Sequence, residues 1–337
     1  MKKILAVLIA VSMLMCTFAF AACGDESAVK ISVSITVPDG APALAVAKLI
    51  NDDENFGIKV KYKVVNASDI KNFVVGSGEK SDIALVPVNL ASLLLGSGNE
   101  YKGVATVTHG NLYLLSKDDT VITAENFDII KGKTVAVVNI ANVPGLTFKA
   151  AVQKAGLQFT EDEKEKTDEN VLLTGINGTD IATTLNQGKA DYVLAPEPAV
   201  STITGKVPAI KKVAALHDIY GSYPQAVMVV KAAFLAEHED IVKKVFDAMT
   251  ANESWIIENP AAAAKAVASK LSEGATASFT AENTTEASVR GCNIKMIRFT
   301  EKEIETVKNY ITDIKAFGGT SPVAKDFSDN FFVELGK

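Results

Sequence analysis

The residues best placed to bind a small molecule follow two matching segments of the chain. Residues 82–87 and 191–196 share the pattern Asp-x-x-Leu-x-Pro, 109 positions apart. The short apolar run indicates a strand buried on both faces of a parallel sheet, and the proline ends it because it has no N–H for the ladder. Ligands of open α/β sheets bind beyond the carboxyl ends of such strands. The repeat therefore predicts two sheets facing one cleft, with polar edge residues that can hydrogen-bond to a ligand.

We expect the binding residues at these strand ends and at the chain crossings between the two halves. The first half offers Asp39, Gly40, Ala41, Pro42, Pro87, Asn89, Thr108, His109 and Asn111. The second half and the return crossing offer Asn139, Asn142, Gly145, Thr147, Glu197, Tyr223 and Gln225. The loops after positions 37 and 138 each lead into a predicted helix, whose N-terminal N–H groups favour a negative group without arginine. Tyr223 could contact a ring.

Three candidates also have a structural interpretation that the sequence leaves open. Asp39 precedes a glycine and fits an ordinary turn. His109 fits a loop histidine with local partners, and Glu197, between two prolines, fits a helix cap. The sequence alone does not separate these roles from ligand binding.

Composition excludes several function classes. The chain has 34 basic and 40 acidic residues, and loss of Lys2 and Lys3 with a leader changes the net charge from −6 to −8. Nucleic acid requires a basic surface, so we expect none as a partner. The three histidines are scattered and form no metal-binding pattern, so we expect neither a metal nor a cofactor.

The N-terminus has the layout of an export signal. Two lysines precede an apolar stretch over residues 4–20, and Ala21 and Ala22 lead to Cys23. We expect a lipoprotein signal peptide over 1–22, lipidation of Cys23 and a tether over 23–28, which would anchor the protein on the extracytoplasmic face of the cell membrane. Cleavage at a small-x-small site and a retained membrane anchor are the alternatives.

Alternating strand and helix patterns occur twice and predict an α/β fold of two lobes. We expect residues 29–115 plus 225–337 to form lobe one and residues 118–220 to form lobe two, with a hinge near 108–117 and 220–226. Within lobe one the pattern predicts a continuous helix over 43–50. Apolar spacing predicts another over 241–255.

Several motifs, in order along the chain, resemble a known family. They are the segments at 37–42 (Val-Pro-Asp-Gly-Ala-Pro), 81–84 (Ser-Asp-Ile-Ala), 131–137 (Lys-Gly-Lys-Thr-Val-Ala-Val), 188–198 (Gly-Lys-Ala-Asp-Tyr-Val-Leu-Ala-Pro-Glu-Pro) and 259–264 (Asn-Pro-Ala-Ala-Ala-Ala). Together they resemble type II solute-binding proteins of ABC importers, in the nitrate/sulfonate/taurine and thiamine-precursor (NMT1/THI5-like) branch, in lipoprotein form.

The resemblance implies a periplasmic-binding-protein type II fold, with two Rossmann-like lobes of mixed sheets joined by a two-crossing hinge. It implies a monomeric, non-enzymatic protein that captures a small organic solute, anionic or ring-containing, and delivers it to ABC permease subunits. Two alternatives remain: an enzyme acting on a pyrimidine or thiamine-precursor-like molecule, and a ligand-sensing surface domain. No Gly-x-Ser-x-Gly, His-Glu-x-x-His or Cys-x-x-Cys motif supports the enzyme.

Overall fold

The computed structural model describes residues 31–54, 56–96, 100–318 and 329–336. The predicted signal peptide over 1–22, Cys23 and the tether over 23–28 lie outside the described residues. Within these ranges, none of the helices combines the length and apolar character needed to cross a membrane.

The described residues form strands and α-helices in alternation. The strands are β1 (Ser32–Pro38), β2 (Lys59–Val65), β3 (Ile83–Pro87), β4 (Tyr101–His109), β5 (Leu112–Ser116), β6 (Thr134–Val138), β7 (Gln158–Thr160), β8 (Asn170–Ile176), β9 (Tyr192–Pro196), β10 (Lys211–Ala215), β11 (Pro224–Lys231) and β12 (Ile294–Arg298). The α-helices are α1 (Ala41–Leu44), α2 (Ala47–Asn51), α3 (Val88–Gly96), α4 (Val143–Lys154), α5 (Ile181–Asn186), α6 (Ala199–Lys206), α7 (Leu216–Tyr220), α8 (Ala232–Glu258), α9 (Pro260–Ala268), α10 (Glu286–Gly291) and α11 (Glu301–Lys315). Short 3₁₀ helices lie at Ile70–Phe73, Phe127–Ile130, Glu163–Glu165, Gly178–Asp180 and Asp329–Phe331.

The strands form two mixed six-stranded sheets, which confirms the predicted α/β class. The first sheet has the order β12-β4-β11-β3-β1-β2 and the second has the order β10-β5-β9-β6-β8-β7. Strands β1, β2 and β3 are parallel, as are β6, β7, β8 and β9, whereas β11 and β5 run antiparallel to their neighbours. We call each sheet, with the helices packed on it, the first and the second lobe.

The two Asp-x-x-Leu-x-Pro segments occupy equivalent places. Strand β3 lies between β1 and the antiparallel β11, and β9 lies between β6 and the antiparallel β5. Asp82 Oδ2 accepts hydrogen bonds of 2.9 Å from both the backbone N–H and the hydroxyl of Ser34, and Asp191 Oδ2 accepts one of 2.8 Å from the backbone N–H of Thr134. Each aspartate therefore ties its own strand to the start of the neighbouring parallel strand.

Both sheets are buried on both faces, which explains the continuous apolar runs. In β3, Ile83 and Leu85 contribute to one core cluster while Val86 contributes to another on the opposite face. In β9, Leu194 and Val193 are divided in the same way between two clusters. One of the three clusters contains side chains from both sheets, so the lobes share part of their core.

The chain passes between the lobes twice. The first crossing is the turn at Gly110 and Asn111 between β4 and β5, and the second is the loop at 221–223 between α7 and β11. Helix α11 packs against α4 of the second lobe and against α3 and β11 of the first. The lobes are therefore connected by two chain segments and by a shared helix.

The prediction of one helix over 43–50 is wrong, because the chain forms α1 and α2 with a break at Ala45 and Val46. The side chain of Asn252, on α8, fills this break. Its amide group donates 2.9 Å hydrogen bonds to the carbonyl oxygens of Leu44 and Ala45, and its oxygen accepts one of 3.1 Å from the N–H of Lys48. Backbone groups freed by the break are thus satisfied by a residue about 200 positions away.

The predicted helix over 241–255 is present as the central part of α8, which is longer than its apolar pattern indicates. Helix α8 spans Ala232–Glu258 and has a kink at His238, where φ is −139° and ψ is 39°. The apolar residues at 241, 245, 246 and 249 are buried against the first sheet. Their helical spacing therefore identifies the buried face correctly but not the bounds.

Candidate functional site

A cavity of about 590 Å³ lies between the lobes, at the carboxyl ends of β1, β3, β6 and β9. Ten of the sixteen candidate residues line it. From the first lobe come Asp39, Gly40, Ala41, Pro42, Pro87 and Thr108. The first crossing contributes Asn111, the second lobe contributes Asn139 and Glu197, and β11 contributes Gln225. The two repeated strands contribute their closing prolines, Pro87 and Pro196, to opposite walls.

An adjoining cavity of about 440 Å³ extends the cleft toward α3 and α4. It is lined by the candidates Asn89 and Asn142, and it shares Pro87 and Asn139 with the larger cavity. Leu90, Leu93 and Ile70 give this extension an apolar wall. The cleft is therefore elongated and bounded by both lobes.

Asp39 both holds the turn after β1 and faces the cleft. Its Oδ2 accepts hydrogen bonds from the backbone N–H of Ser278 at 2.8 Å and from the hydroxyl of Ser278 at 2.5 Å. Its other oxygen, Oδ1, is buried and has no hydrogen-bond partner among the described residues. Gly40 follows with φ 105°, a conformation that glycine adopts readily. The turn role and the cleft position, which the sequence left as alternatives, thus occur together.

Glu197 lies in the second-lobe wall, only 3% exposed. Its Oε2 accepts the N–H of Ser201 at 3.0 Å and its Oε1 accepts the hydroxyl of the same serine at 2.9 Å, so the carboxylate caps α6. Desolvation raises the pKa of Glu197, against the opposing effect of the hydrogen bonds from Ser201. On its other side Gly291 packs so closely that an added Cβ would lie 2.8 Å from the Glu197 Cγ and Oε1 atoms. Glu197 therefore acts as a helix cap and also lines the cleft.

Asn111, in the first crossing, bonds to residues of both lobes at the base of the cleft. The backbone N–H of Asn111 donates to Oε1 of Gln225 at 2.7 Å, and the carbonyl oxygen of Asn111 accepts the N–H of Glu197 at 3.2 Å. The side-chain oxygen of Asn111 is buried and has no partner among the described residues. Asn111 is thus held in place by hydrogen bonds of its backbone.

The structure places four candidates outside both cavities: His109, Gly145, Thr147 and Tyr223. His109 packs toward α11, with Nε2 3.6 Å from Oε1 of Glu303. Tyr223 is fully buried, and its ring stacks on that of Tyr310 with centroids 5.4 Å apart. Each of these two side chains is directed toward α11, which the sequence did not place at this junction.

Gly145 and Thr147 lie in the first turns of α4 and serve packing. A Cβ at position 145 would overlap the carbonyl oxygen of Ile140, so the preceding loop can fold back only over a glycine. Thr147 is completely buried, and its hydroxyl bonds to the carbonyl oxygen of Val143 at 2.6 Å and to the Tyr310 hydroxyl at 2.5 Å. Helix α4 therefore presents its N-terminal end to the cleft and its next turn to α11.

Residues that the sequence did not single out also line the larger cavity. Ser278 and Asn283 come from the polar segment between α9 and α10, and Thr179 and Thr202 come from the second lobe. Thr179 belongs to the short 3₁₀ helix after β8, another strand end, so the strand-end rule could have found it. Ser278 and Asn283 follow no strand, and only the tertiary contact with Asp39 brings them to the site.

The charge of the lining is one-sided. Among the described residues that line the larger cavity, Asp39 and Glu197 are the only ionisable side chains, and none is Lys, Arg or His. No group of three or more His, Cys, Asp or Glu side chains in the described ranges is arranged to hold a metal ion. The arrangement can bury a small organic molecule and hydrogen-bond to it from both lobes.

Comparison with known proteins agrees with this geometry. The family model described as NMT1/THI5 like matches residues 52–263, more than half of the chain. No curated protein matches the sequence significantly. The chain belongs to the NMT1/THI5-like family.

Solved structures show the same fold at low sequence identity. An ABC transporter protein from Parabacteroides distasonis is 18% identical over 90% of this chain and 99% of its own, with a TM-score of 0.67. The periplasmic aliphatic sulphonate binding protein SsuA from Escherichia coli is 12% identical over 91% and 93%, with a TM-score of 0.66. The alkanesulfonate-binding protein SsuA from Xanthomonas axonopodis pv. citri, bound to MOPS, is 11% identical over 90% and 98%, with a TM-score of 0.57. The fold is the periplasmic-binding-protein type II fold.

Proposed function

We propose that this NMT1/THI5-like protein is the extracytoplasmic solute-binding component of an ABC importer, which captures a small organic solute and delivers it to the permease subunits. One observation carries the proposal. Candidate residues from the first lobe, from the second lobe and from the first crossing line a single cavity of about 590 Å³. A volume of this size suits a small organic ligand. The solute-binding class of its structural neighbours supports the same role.

Capture would proceed by closure of the lobes about the crossings near 108–117 and 220–226. Lobe one would comprise residues 29–115 and 225–337, and lobe two residues 118–220. A ligand that touches Asp39 on one wall and Glu197 on the other contacts both only when the walls are close. It therefore binds the closed state more tightly, and this difference in affinity drives closure.

We also infer where in the cell the protein acts. Export through the signal peptide over 1–22, lipidation of Cys23 and the tether over 23–28 would hold a monomer at the extracytoplasmic face of the cell membrane, beside its permease. A net charge of −6 supports a small-molecule partner over nucleic acid.

We infer binding without catalysis. Cys292 is the free cysteine of the described residues and is completely buried. Desolvation, with a further contribution from Glu197, raises the pKa of its thiol well above the usual value. A buried neutral thiol is a poor nucleophile. Mass spectrometry of a bound solute before and after incubation should show an unchanged mass; conversion of the solute would favour the enzyme alternative.

The decisive experiment is a thermal-shift screen of the purified protein. The panel would contain alkyl sulfonates, nitrate, pyrimidines, thiamine precursors, flavins and amino acids, with small-angle X-ray scattering on every hit. A solute at 100 times its Kd adds about 2.7 kcal/mol to the free energy of unfolding, which corresponds to a rise in Tm of several degrees. If no solute raises Tm and none makes the protein more compact, the receptor proposal is wrong.

A further inference from the structure

We propose that the solute bears a positively charged nitrogen with N–H groups, such as an ammonium or amidinium group, which Asp39 and Asn111 receive in the larger cavity. This inference rests on the proposed function and deepens it, because it names the chemical class of the solute. The sequence left open an anionic or a ring-containing solute. The charges and hydrogen bonds of the cleft separate these possibilities.

Among the described residues that line the larger cavity, the ionisable side chains are both acidic. Asp39 and Glu197 lie in opposite walls, and the described lining of the larger cavity contains no basic side chain to balance them. Lys212, outside the lining, acts electrostatically on Glu197, whereas a sulfonate or carboxylate beside Asp39 would meet a carboxylate with no basic side chain in the described lining. The adjoining cavity adds one lysine, Lys71, whose side chain is exposed. A cation is therefore the charge type that this lining stabilises.

The helix N-terminus after β1 supplies little to offset this charge, and α4, whose N-terminal end also lies at the cleft, has proline at its second position. The turn after β1 leads into α1, which has only four residues and has proline at its second position, where no N–H exists. The N–H of Ala43 already bonds to the carbonyl oxygen of Gly40 at 3.0 Å. The expectation that this turn binds an anion is therefore not supported, because the helix that follows is too short to provide several free N–H groups.

Two hydrogen-bond acceptors among the residues that line the cavity have no partner in the described part of the chain. Asp39 Oδ1 and Asn111 Oδ1 are both buried and unpaired within the described ranges, and Asn111 as a residue is only 7% exposed. The side-chain oxygens of Glu197 and Gln225 are occupied, because Glu197 receives two hydrogen bonds from Ser201 and Gln225 Oε1 receives the Asn111 N–H. Buried polar atoms in folded proteins are almost always hydrogen-bonded. Two unpaired acceptors in one cleft favour a ligand that donates hydrogen bonds.

Apolar side chains line the same cavity as these acceptors. They are Leu112, Val143, Ile203, Pro87 and Pro196. They suit an alkyl or ring body attached to the charged nitrogen. The favoured solute thus has a donor head of positive charge and a compact apolar body.

Matched pairs of ligands test the inference. Isothermal titration would compare butylamine with 1-butanesulfonate, benzylamine with benzenesulfonate, and benzamidine with benzoate. Within at least one pair we expect the cation to bind at least tenfold more tightly than the anion. In Asp39→Asn the amide can still accept from Ser278 but presents N–H groups in place of the second oxygen. The cation should then lose at least tenfold in affinity, and the cation-to-anion ratio should fall.

Controls keep the outcomes distinct. Asp119→Asn, at an exposed position, should leave the ratio unchanged, and circular dichroism should show that Asp39→Asn is folded. Tighter binding of the anion in every pair, or an unchanged ratio in Asp39→Asn, overturns this inference while the receptor role stands. If only uncharged solutes from the wider screen bind, the inference is wrong in the same way. If no solute of any class binds, the proposed function itself fails.

Discussion

The backbone N–H of Asn111, in the first chain crossing, donates across 2.7 Å to Oε1 of Gln225, which lies in β11 just after the second crossing. A second bond runs from the N–H of Gly110 to the carbonyl oxygen of Tyr223 at 3.1 Å. Asn111 and Gln225 also line the larger cavity. The residues that connect the lobes therefore form part of the candidate binding site, so a ligand at the cleft floor would contact the proposed hinge directly.

Removing the Gln225 side chain should destabilise the junction. In Gln225→Ala the N–H of Asn111, a residue only 7% exposed, loses its acceptor. An unsatisfied buried donor costs about 1–3 kcal/mol, and urea unfolding should show a loss of that size. Gln158→Ala, at an exposed position on the edge strand β7, should change the free energy of unfolding by less than about 0.5 kcal/mol. Equal stability of the two variants would contradict the assigned role.

Gly145→Ala should be among the most damaging single substitutions in the second lobe. The added methyl group would overlap the carbonyl oxygen of Ile140, so the loop between β6 and α4 must move. We expect a loss of about 3 kcal/mol, the upper part of the range for overpacking, measured by chemical unfolding.

Gly205 provides the matched control for this substitution. It lies in α6, and no heavy atom would lie within 4 Å of a Cβ at that position. Gly205→Ala should be neutral or stabilise by up to about 1 kcal/mol, because alanine favours the helix. A similar cost at both positions would show that the close approach at Gly145 is not the cause.

The two repeated aspartates should contribute separately to stability. Asp82→Ala removes the acceptor of Ser34, and Asp191→Ala removes that of Thr134, so each should cost about 1–3 kcal/mol. The pairs lie in different sheets, so the double variant should show the sum within about 0.5 kcal/mol. A marked departure from additivity in urea unfolding would indicate that the lobes are coupled through these strands.

Glu197 should make stability depend on pH. Burial raises the pKa of its carboxyl above the usual 4.5, so the folded state holds this proton more tightly than the unfolded state. Stability is therefore lost as the pH rises from the unfolded pKa through the raised folded pKa. Glu197→Gln removes this titration and keeps an oxygen for the N–H of Ser201.

We therefore expect the stability of Glu197→Gln relative to the unsubstituted protein to rise from pH 4 to pH 8. Unfolding in urea across this range measures the difference. Glu169→Gln, at an exposed position, should show no such trend. A difference that stays constant with pH would mean that Glu197 titrates at its ordinary value.

The expectation that binding residues follow the ends of parallel strands identified many residues that line the larger cavity. Parallel strands place their carboxyl ends at one edge of the sheet, so residues that follow them lie close together. Asp39, Pro87, Asn139 and Glu197 all follow or close such strands, and all line the larger cavity. This expectation does not say whether a residue beyond a strand end faces the cleft or packs inside the protein. Thr147, two positions into α4 from Gly145, therefore ended in the packing against Tyr310.

Predictions from local sequence patterns failed where contacts between distant residues determine the backbone conformation. The segment over 43–50 has no breaker, yet Asn252 stabilises a break in it by bonding to Leu44, Ala45 and Lys48. Strand β10 begins with two exposed lysines and carries little apolar signal, but it completes the second sheet by pairing with β5. Neither feature can be deduced from its own few residues.

The sequence by itself determined the fold class, the equivalent places of the two repeated strands and the sheet edges that line the cleft. These follow from apolar runs, prolines and turns, whose effects act within a few residues. Only the tertiary structure decided that Ser278 reaches Asp39, that α11 contacts both lobes, and that the charged lining is acidic. Those features depend on which distant segments contact each other. Such contacts produce no repeating pattern of apolar and polar residues in the sequence.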